Sequence, residues 1–181
     1  MKTDARVRYT KKVLKDALLQ CMRSKPLKEI TVKEVCEMAE LNRATFYAHY
    51  HDCYDLLEQI ENEMLLSYRD SLQKIDAMDT GALAGSILDM IDANRDLCEL
   101  LIYRHVDDAL IKKMLAMAHD FCIGRWKEAL NKAPAEDVEL LFSCLASGIL
   151  HIVVTEYGEY DREKLVSFVS STVQNCIKPY R

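Results

Sequence analysis

Apolar residues recur three and four positions apart along most of the chain, which is the spacing of one face of an α-helix. The first such stripe covers about residues 10–24, and a longer one covers about residues 52–75. Further stripes predict helices at about residues 81–93, 95–103, 108–130, 135–157 and 162–177. No segment alternates strand and helix patterns, as a parallel sheet would require. The pattern therefore predicts an all-α fold.

Two short helices are predicted between the first stripe and the long one. Thr31 and Glu34 have the spacing of a capping box and predict a helix over residues 32–39. The pattern then breaks, and Asn42 is a strong cap for a helix over residues 43–50. Later helices are predicted to be capped by Asp52, Thr80, Asn94 and Asp161. The sequence thus predicts an N-terminal three-helix head with a helix-turn-helix, followed by a C-terminal bundle of about five to six helices.

Composition agrees with a folded, helix-rich chain. Half of the 181 residues are apolar, with only 5 Gly and 3 Pro. The most apolar stretch, residues 140–154, is shorter than the roughly 20 residues that span a bilayer and contains His151. It is therefore predicted to be a buried helix rather than a membrane span. The N-terminus lacks the apolar core of a secretory signal, which predicts a cytoplasmic protein.

The seven cysteines show no CxxC spacing and mostly occupy apolar positions of the helical stripes. This distribution predicts reduced thiols rather than a disulfide framework or a zinc site, and no metal or cofactor is expected. A thiol redox sensor is an alternative, because seven cysteines are many, although buried thiols are usually inert.

Charge is distributed unevenly along the chain. Residues 1–50 hold 11 Lys and Arg against 6 Asp and Glu, whereas the other residues hold 13 against 23. In the first helix, Lys11, Lys12 and Lys15 fall outside the apolar stripe. A basic head on an acidic body indicates that only the head meets a polyanion.

Residues 27–57 carry a dense motif around the predicted helix-turn-helix. Its elements are Thr31, Val35, Ala39, Thr45, Phe46, Tyr47, His49, Tyr50, Asp52, Leu56 and Leu57. At this spacing the stretch resembles the DNA-binding head of the TetR/AcrR family of transcriptional regulators. The resemblance implies a DNA-binding domain over residues 1–51 and an effector-binding and dimerisation domain over residues 52–181.

The N-terminal end of a recognition helix presents small and donor-bearing side chains to base edges. Arg43 can bind a guanine through two hydrogen bonds, Ala44 permits close approach to a base, and Thr45 can contact a base or a phosphate. Phosphate contacts are expected from Thr31, Lys33, Tyr47, His49 and Tyr50. Phe46 is expected in the core.

Several of these residues have a structural alternative. Thr31 can act as a helix cap alone, and His49 by itself would usually be a solvated or satisfied histidine. Either Tyr47 or Tyr50 can pack against the first helix, and the resemblance favours Tyr50 as the core residue. The sequence departs from the family at Cys53, where a phosphate-binding lysine is common. His51 is a candidate substitute.

In the family, the last two long helices pair with those of a second copy, and the preceding helices enclose an effector pocket. Residues 137–157 are apolar nearly all round, with a run of small residues near Gly148, so a homodimer is expected. Candidate contacts to an unknown small-molecule effector are Tyr103, His105, His119, Cys122, Trp126, Cys144, Ser147 and His151. Alternatively, His151 is a satisfied core histidine and Trp126 is a packing residue.

The sequence predicts a ligand-responsive repressor that binds a palindromic operator in double-stranded DNA as a homodimer. An enzyme is not expected, because phosphate-binding loop, dinucleotide-binding, GxSxG and HExxH motifs are all missing. A co-activator of the same fold, acting through a protein partner with weak DNA binding, is the alternative left open by Cys53.

Overall fold

A computed structural model describes residues 2–98, 100, 108–156 and 158–181. The fold is all-α, which confirms the predicted class. The α-helices are α1 (Lys2–Met22), α2 (Val32–Met38), α3 (Arg43–Tyr47), α4 (Cys53–Leu72), α5 (Thr80–Ala93), α6 (Arg95–Cys98), α7 (Asp108–Ala129), α8 (Ala135–Thr155) and α9 (Arg162–Ile177). Short 3-10 helices cover Leu27–Glu29 and Lys178–Tyr180. Among the described residues, no helix is long and apolar enough to cross a membrane.

The chain forms two compact units, Met1–Glu63 (unit 1) and Met64–Arg181 (unit 2). The division falls within α4, whereas the sequence places the domain boundary at the start of that helix. The difference has a physical reason. The first turns of α4 place Leu56 and Ile60 in an interior position, where they are almost completely buried.

In unit 1, α1 packs against α2, and α2 packs against α3. The side chains of Leu14, Leu18, Val35 and Phe46 are fully buried and form the core. These are the positions that the apolar stripes assign to the interior. Burial of such side chains is the main contribution that holds helices this short in place, since short helices are marginal in isolation.

In unit 2, α5 packs against α8 and α9, and α7 packs against α8. The indole N–H of the buried Trp126 donates to the carbonyl oxygen of Ala77 at 3.0 Å, which fixes α7 to the loop before α5. The guanidinium of Arg162 at the start of α9 donates to the carboxylate of Asp89 on α5 at 2.7 Å. Apolar packing and this exposed ion pair thus join α5 to α9.

Three helix ends differ from the prediction. α1 begins at Lys2 rather than near Thr10, because helix-forming residues extend it beyond the apolar stripe. α3 ends at Tyr47, and the backbone turns before residue 50. The cap of α5 is Asp79, not Thr80: the Asp79 carboxylate accepts from the backbone N–H of Ala82 at 2.9 Å.

The helices α6, α8 and α9 agree with the prediction to different extents. The predicted α6 extended to residue 103, and its residues 99 and 101–103 lie outside the described residues. α9 has the predicted bounds and its predicted cap, Asp161. α8 is not buried on all sides within the chain, since the side chain of Leu140 is 70% exposed. Within a single chain one face of α8 is exposed, so the predicted burial of residues 140–154 stays a prediction that needs a partner on that face.

Candidate nucleic-acid interface and internal cavity

The turn between α2 and α3 is held by local contacts. Glu40 adopts a φ of 54°, in the left-handed region that favours glycine. The backbone N–H of Leu41 donates to the carbonyl oxygen of Cys36 at 2.9 Å. The Asn42 side chain then caps α3 by accepting from the backbone N–H of Thr45 at 2.8 Å. These contacts fix the direction in which α3 leaves the turn.

The predicted capping box at the start of α2 is present. The Thr31 hydroxyl accepts from the backbone N–H of Glu34 at 3.3 Å, and the Glu34 carboxylate accepts from the backbone N–H of Thr31 at 2.9 Å. The ammonium of Lys25 also donates to Glu34. The hydrogen bond from Lys25, followed by those from Thr31, lowers the pKa of Glu34 to about 2. The carboxylate is therefore charged at neutral pH, and the cap is maintained.

α3 has one exposed face and one buried face. Arg43, Ala44 and Tyr47 are exposed, and the side chain of Tyr47 is 58% accessible. Phe46 is fully buried and contacts Tyr47 edge to face, with ring centroids 5.7 Å apart. The helix thus directs a cation, a small side chain and a phenol outward, which is a suitable set for contacting DNA.

The other predicted DNA contacts are divided between the surface and the core. Thr31 and Lys33 are exposed, whereas Thr45 and His49 are half-buried. Tyr50 is only 5% exposed, and burial raises the pKa of its phenol to about 12. A side chain enclosed to this extent cannot reach a phosphate without a rearrangement. Of the two tyrosines, Tyr50 is therefore the core residue, and it is removed from the candidate contacts.

The N-terminal turn of α4 contains no lysine that could contact a phosphate. Cys53 is 4% exposed, and burial raises the pKa of its thiol to about 11. His51 is exposed, and its backbone N–H donates to the carboxylate of Asp55 at 2.8 Å. The structure therefore leaves His51 accessible to a phosphate at this end of α4.

Cations on α1 add a feature that the predicted contact set omitted. Arg8, Lys11, Lys12 and Lys15 line a surface cleft together with Tyr50. The Lys11 ammonium lies 6.0 Å from the centroid of the Tyr50 ring. These cations are three and four residues apart, and this spacing in the sequence places them on one face of a helix. The sequence did not show that these cations lie next to Tyr50, the residue that follows the recognition helix α3.

Unit 2 contains an internal cavity formed by α4, α5, α7 and α8. Its volume is about 50 Å³. Its lining is almost entirely apolar and consists of Tyr68, Thr80, Leu83, Ile87, Met114, Leu115, Ala118, Cys122, Trp126, Phe142, Ala146, Ile149 and Leu150. An apolar lining with a few polar groups is typical of small-molecule sites.

Two of the predicted effector contacts, Cys122 and Trp126, line this cavity. His119 does not, and Cys144, Ser147 and His151 are on an exposed part of α8. Their sequence signal, a polar group among apolar ones, does not distinguish an inner face from an outer one. Tyr103 and His105 lie outside the described residues. The sequence does not indicate that Thr80 and Tyr68 line this cavity. Thr80 has the features of a helix cap, and Tyr68 lies in an apolar stripe.

His119 instead connects α7 to α8. Its Nε2 lies 2.7 Å from a carboxylate oxygen of Glu139, and the Lys127 ammonium donates to the other oxygen at 2.6 Å. The hydrogen bond with Glu139 is the main cause that raises the pKa of His119. Lys127 and then His119 lower the pKa of Glu139.

α8 and α9 each expose one continuous helical face. The exposed residues include Leu140, Cys144, Ser147, Gly148 and His151 on α8, and Phe168, Thr172, Asn175 and Cys176 on α9. The side chain of Phe168 is 52% accessible. A Cβ added at Gly148 would meet no atom within 4 Å. Large apolar side chains on both faces leave surface that a partner could cover.

The cysteines are free thiols. Burial raises the pKa of Cys21, Cys36, Cys53, Cys98 and Cys122, so these thiols stay protonated and unreactive. Cys144 and Cys176 are exposed. Within the described ranges, no group of three or more His, Cys, Asp or Glu side chains could hold a metal ion.

Comparison with known proteins gives a limited sequence match. No protein-family model matches the chain. A segment of 51 residues is 31% identical to an uncharacterized HTH-type transcriptional regulator, YxbF, from Bacillus subtilis (strain 168). That segment covers 28% of this chain and only 13% of the length of that regulator.

The structural similarity extends over almost the whole chain. A fatty acid degradation regulator, FadR, from Bacillus halodurans has a TM-score of 0.65, with 16% identity over 91% of this chain and 94% of its own. The dihydroxyacetone kinase operon activator DhaS has a TM-score of 0.60, with 16% identity over 95% and 98%. A TetR/AcrR-family regulator from Aquifex aeolicus VF5 has a TM-score of 0.61, with 15% identity over 92% and 99%. The chain therefore has the fold of TetR/AcrR-type transcriptional regulators.

Proposed function

We propose that this protein is a DNA-binding transcription regulator, and that it is a ligand-responsive repressor which binds a palindromic operator as a homodimer in the cytoplasm. The observation that carries the proposal is the exposed face of α3. There, Arg43, Ala44 and Tyr47 point outward from a helix-turn-helix whose two caps are formed. The fold shared with known regulators supports the same function.

In this proposal residues 1–51 read DNA, and each exposed residue of the head has a role. Arg43 donates two hydrogen bonds to a guanine, and Ala44 lets the helix approach the base edges. Lys33, Thr31 and Tyr47 bind phosphates, which positions the helix without selecting sequence. Thr45 and His49 are half-buried and contribute at the edge of this surface.

We assign the exposed faces of α8 and α9, within the body of residues 52–181, to the dimer. A second copy is the occupant that fits best. Both faces belong to neighbouring helices and both contain a large exposed apolar side chain, Leu140 or Phe168. Small residues at Ser147 and Gly148 permit two helices to approach closely. A palindromic operator requires such a two-fold partner.

Gly148→Leu tests this dimer. Because an added Cβ meets no atom of the same chain within 4 Å, the variant is expected to fold. Leu at a tight interface costs on the order of 1–3 kcal/mol by overpacking, so light scattering is expected to detect monomers. Gly124→Leu on α7 is the matched control, since Gly124 is also open and helical, and it is expected to remain dimeric. Gly148→Leu with an unchanged dimer would place the interface elsewhere.

The cavity of unit 2 is the proposed effector site. One of its lining residues, Tyr68, is on α4, the helix that begins at Cys53 directly after the head. A ligand that displaces α4 can therefore alter the orientation of the recognition helices. It can shift operator binding only through its different affinities for the two arrangements.

Selection from random-sequence DNA, followed by gel shift at low salt, tests the proposed function. The expected result is a palindrome whose half-sites lie about 10–10.5 base pairs apart, or a multiple of this spacing. Arg43→Ala is expected to weaken the complex, and Arg125→Ala is the matched control, since Arg125 is an exposed arginine in unit 2.

The co-activator is retained as a second candidate because of one observation. Cys53 is buried at the N-terminal turn of α4 and offers no cation to a phosphate. Loss of one such contact weakens DNA binding and makes it less dependent on salt. If no sequence is selected even at low salt, the DNA-reading proposal is contradicted and the partner-binding function is favoured.

A further inference from the structure

A surface cleft of unit 1 lies between α1 and the middle of α4. Its volume is about 290 Å³, close to the lower end of the roughly 300–1,000 Å³ of small-molecule sites. All of its described lining residues belong to unit 1. They are Arg8, Lys11, Lys12, Lys15, Tyr50, Gln59, Ile60 and Glu63.

The charge of this cleft is strongly unbalanced. Its four cations, Arg8, Lys11, Lys12 and Lys15, are called the α1 cations below, whereas Glu63 is the one acid among the described lining residues. Burial raises the pKa of Tyr50 to about 12, so its phenol adds no negative charge. Within the described part of the chain, none of the α1 cations forms an ion pair with a carboxylate.

This arrangement is unfavourable for α1 by itself. The α1 cations are three and four residues apart, and like charges at this spacing repel one another and destabilise a helix. Lys11 and Lys15 are also half-buried, so water and salt screen their charges less than on an open surface. A bound anion would remove this repulsion, and the cleft has the space for one.

We propose that the cleft binds a small molecule with two or more linked phosphate groups. Lysine ammonium groups bind phosphate as point charges, and an arginine can donate two parallel hydrogen bonds to it. Arg8 and Lys15 are seven residues apart, which is about 10 Å along α1. A single phosphate group cannot extend over this length, whereas a chain of linked phosphates can contact all four α1 cations.

The cleft is separate from the proposed contacts to DNA. Lys33 and Arg43 are not among its described lining residues. Gln59 and Glu63 lie about 9 and 15 Å along α4 from Cys53, the first residue of that helix. The cleft thus extends away from the end of α4 that adjoins the recognition segment. The inference therefore goes beyond the proposed function, and the DNA backbone is the alternative occupant to be tested.

Isothermal titration calorimetry of the full-length protein at constant ionic strength tests the proposal. Tripolyphosphate is expected to bind saturably, with one molecule per chain, and more tightly than orthophosphate. Lys11→Gln combined with Lys15→Gln keeps helix propensity and is expected to weaken tripolyphosphate about ten- to hundredfold, because two charged hydrogen bonds are lost. Lys74→Gln combined with Lys132→Gln removes the same charge at exposed lysines outside the cleft, and the affinity is expected to be unchanged.

A second control addresses the DNA-binding face. Lys33→Gln combined with Arg43→Gln is expected to leave the affinity for tripolyphosphate unchanged. The inference is overturned if tripolyphosphate does not bind saturably, if orthophosphate binds as tightly, or if either control pair weakens binding as much as the change at Lys11 and Lys15 does.

Operator binding separates the two possible occupants. The change at Lys11 and Lys15 is expected to leave the salt dependence of operator binding as it is in the native protein. A slope of log affinity against log salt that is reduced by about one or more would assign the α1 cations to the DNA backbone and overturn the inference. If the head selects no DNA sequence, the proposed function fails, but the calorimetric result still stands. The two failures are therefore distinguishable.

Discussion

The two compact units differ in where their candidate functional side chains lie. In unit 1, Arg43 and Tyr47 are exposed on a short helix whose direction is set by the Asn42 cap. In unit 2, Thr80 and Cys122 are buried in a cavity to which four helices contribute. Unit 1 therefore presents its candidate residues on a surface, and unit 2 encloses its candidate residues among apolar side chains.

This difference also determines how each region responds to mutation. On the surface of unit 1, a functional residue and a core residue can be neighbours in sequence, as Phe46 and Tyr47 are, and yet have separate roles. In the cavity of unit 2, each lining residue contributes both to packing and to the shape of the site. Function and stability are thus separable on α3 and coupled in the cavity.

The largest expected effect separates the core face of α3 from its exposed face. Phe46→Ala removes a fully buried aromatic side chain and is expected to lower the free energy of unfolding by about 3–5 kcal/mol. Tyr47→Ala, at the next residue, is expected to change it by about 0.5 kcal/mol or less, because Tyr47 is exposed. Urea unfolding followed by circular dichroism measures both. Equal losses would contradict the two-faced description of α3.

A smaller effect divides the exposed face into base and phosphate contacts. Arg43→Ala is expected to cost about 1–3 kcal/mol of binding free energy and to relax the preference at one base position in each half-site. Tyr47→Ala is expected to weaken all sequences alike, since a phosphate contact carries no sequence information. Repeated selection with each variant measures this. If Arg43→Ala leaves the selected motif unchanged, Arg43 contacts phosphate instead.

The smallest effect concerns the ion pair between α7 and α8. Because the pKa of His119 is raised above its usual 6.5 in the folded protein, its contribution to stability is complete below about pH 6.5. The contribution is lost as the pH rises through the folded-state pKa. It is small because His119 is well exposed, with 38% of its side chain accessible.

Melting temperatures of the native protein and His119→Gln test this between about pH 5.5 and pH 8.5. At the acidic end, the melting temperature of the native protein is expected to exceed that of His119→Gln. This difference in melting temperature is expected to shrink as the pH rises. His51→Gln, at an exposed histidine of unit 1, is the control for general effects of histidine loss. A difference that does not vary with pH would show that charge on His119 has no part in the contact.

Prediction from sequence was most successful where the determining contacts are local. Thr31 and Glu34 are three residues apart, and their capping box is present. The apolar stripe of α1 and the position of Phe46 gave the core of unit 1. Tyr50 shows where this approach left two alternatives open: its residue type suits a phosphate contact, the resemblance favours a core residue, and packing within unit 1 encloses it.

In unit 2, the same reasoning recovered the helices but only part of the cavity lining. Of the predicted effector contacts, Cys122 and Trp126 line the cavity, whereas His119 and Ser147 do not. Thr80 is a threonine at the start of a helix, which indicates a helix cap. The neighbouring Asp79 takes that role, and the buried Thr80 hydroxyl has no hydrogen-bond partner among the described residues.

The sequence by itself determined the all-α class, the helix-turn-helix and its caps, and the residues that α3 can present. These depend on helical periodicity and on hydrogen bonds that span three or four residues, which are recorded directly in the order of amino acids. The tertiary structure decided which face of α8 is covered, which tyrosine is enclosed and which side chains meet around the cavity. Those outcomes depend on how helices distant in sequence pack, and neither helical periodicity nor local capping specifies which faces they bury against one another.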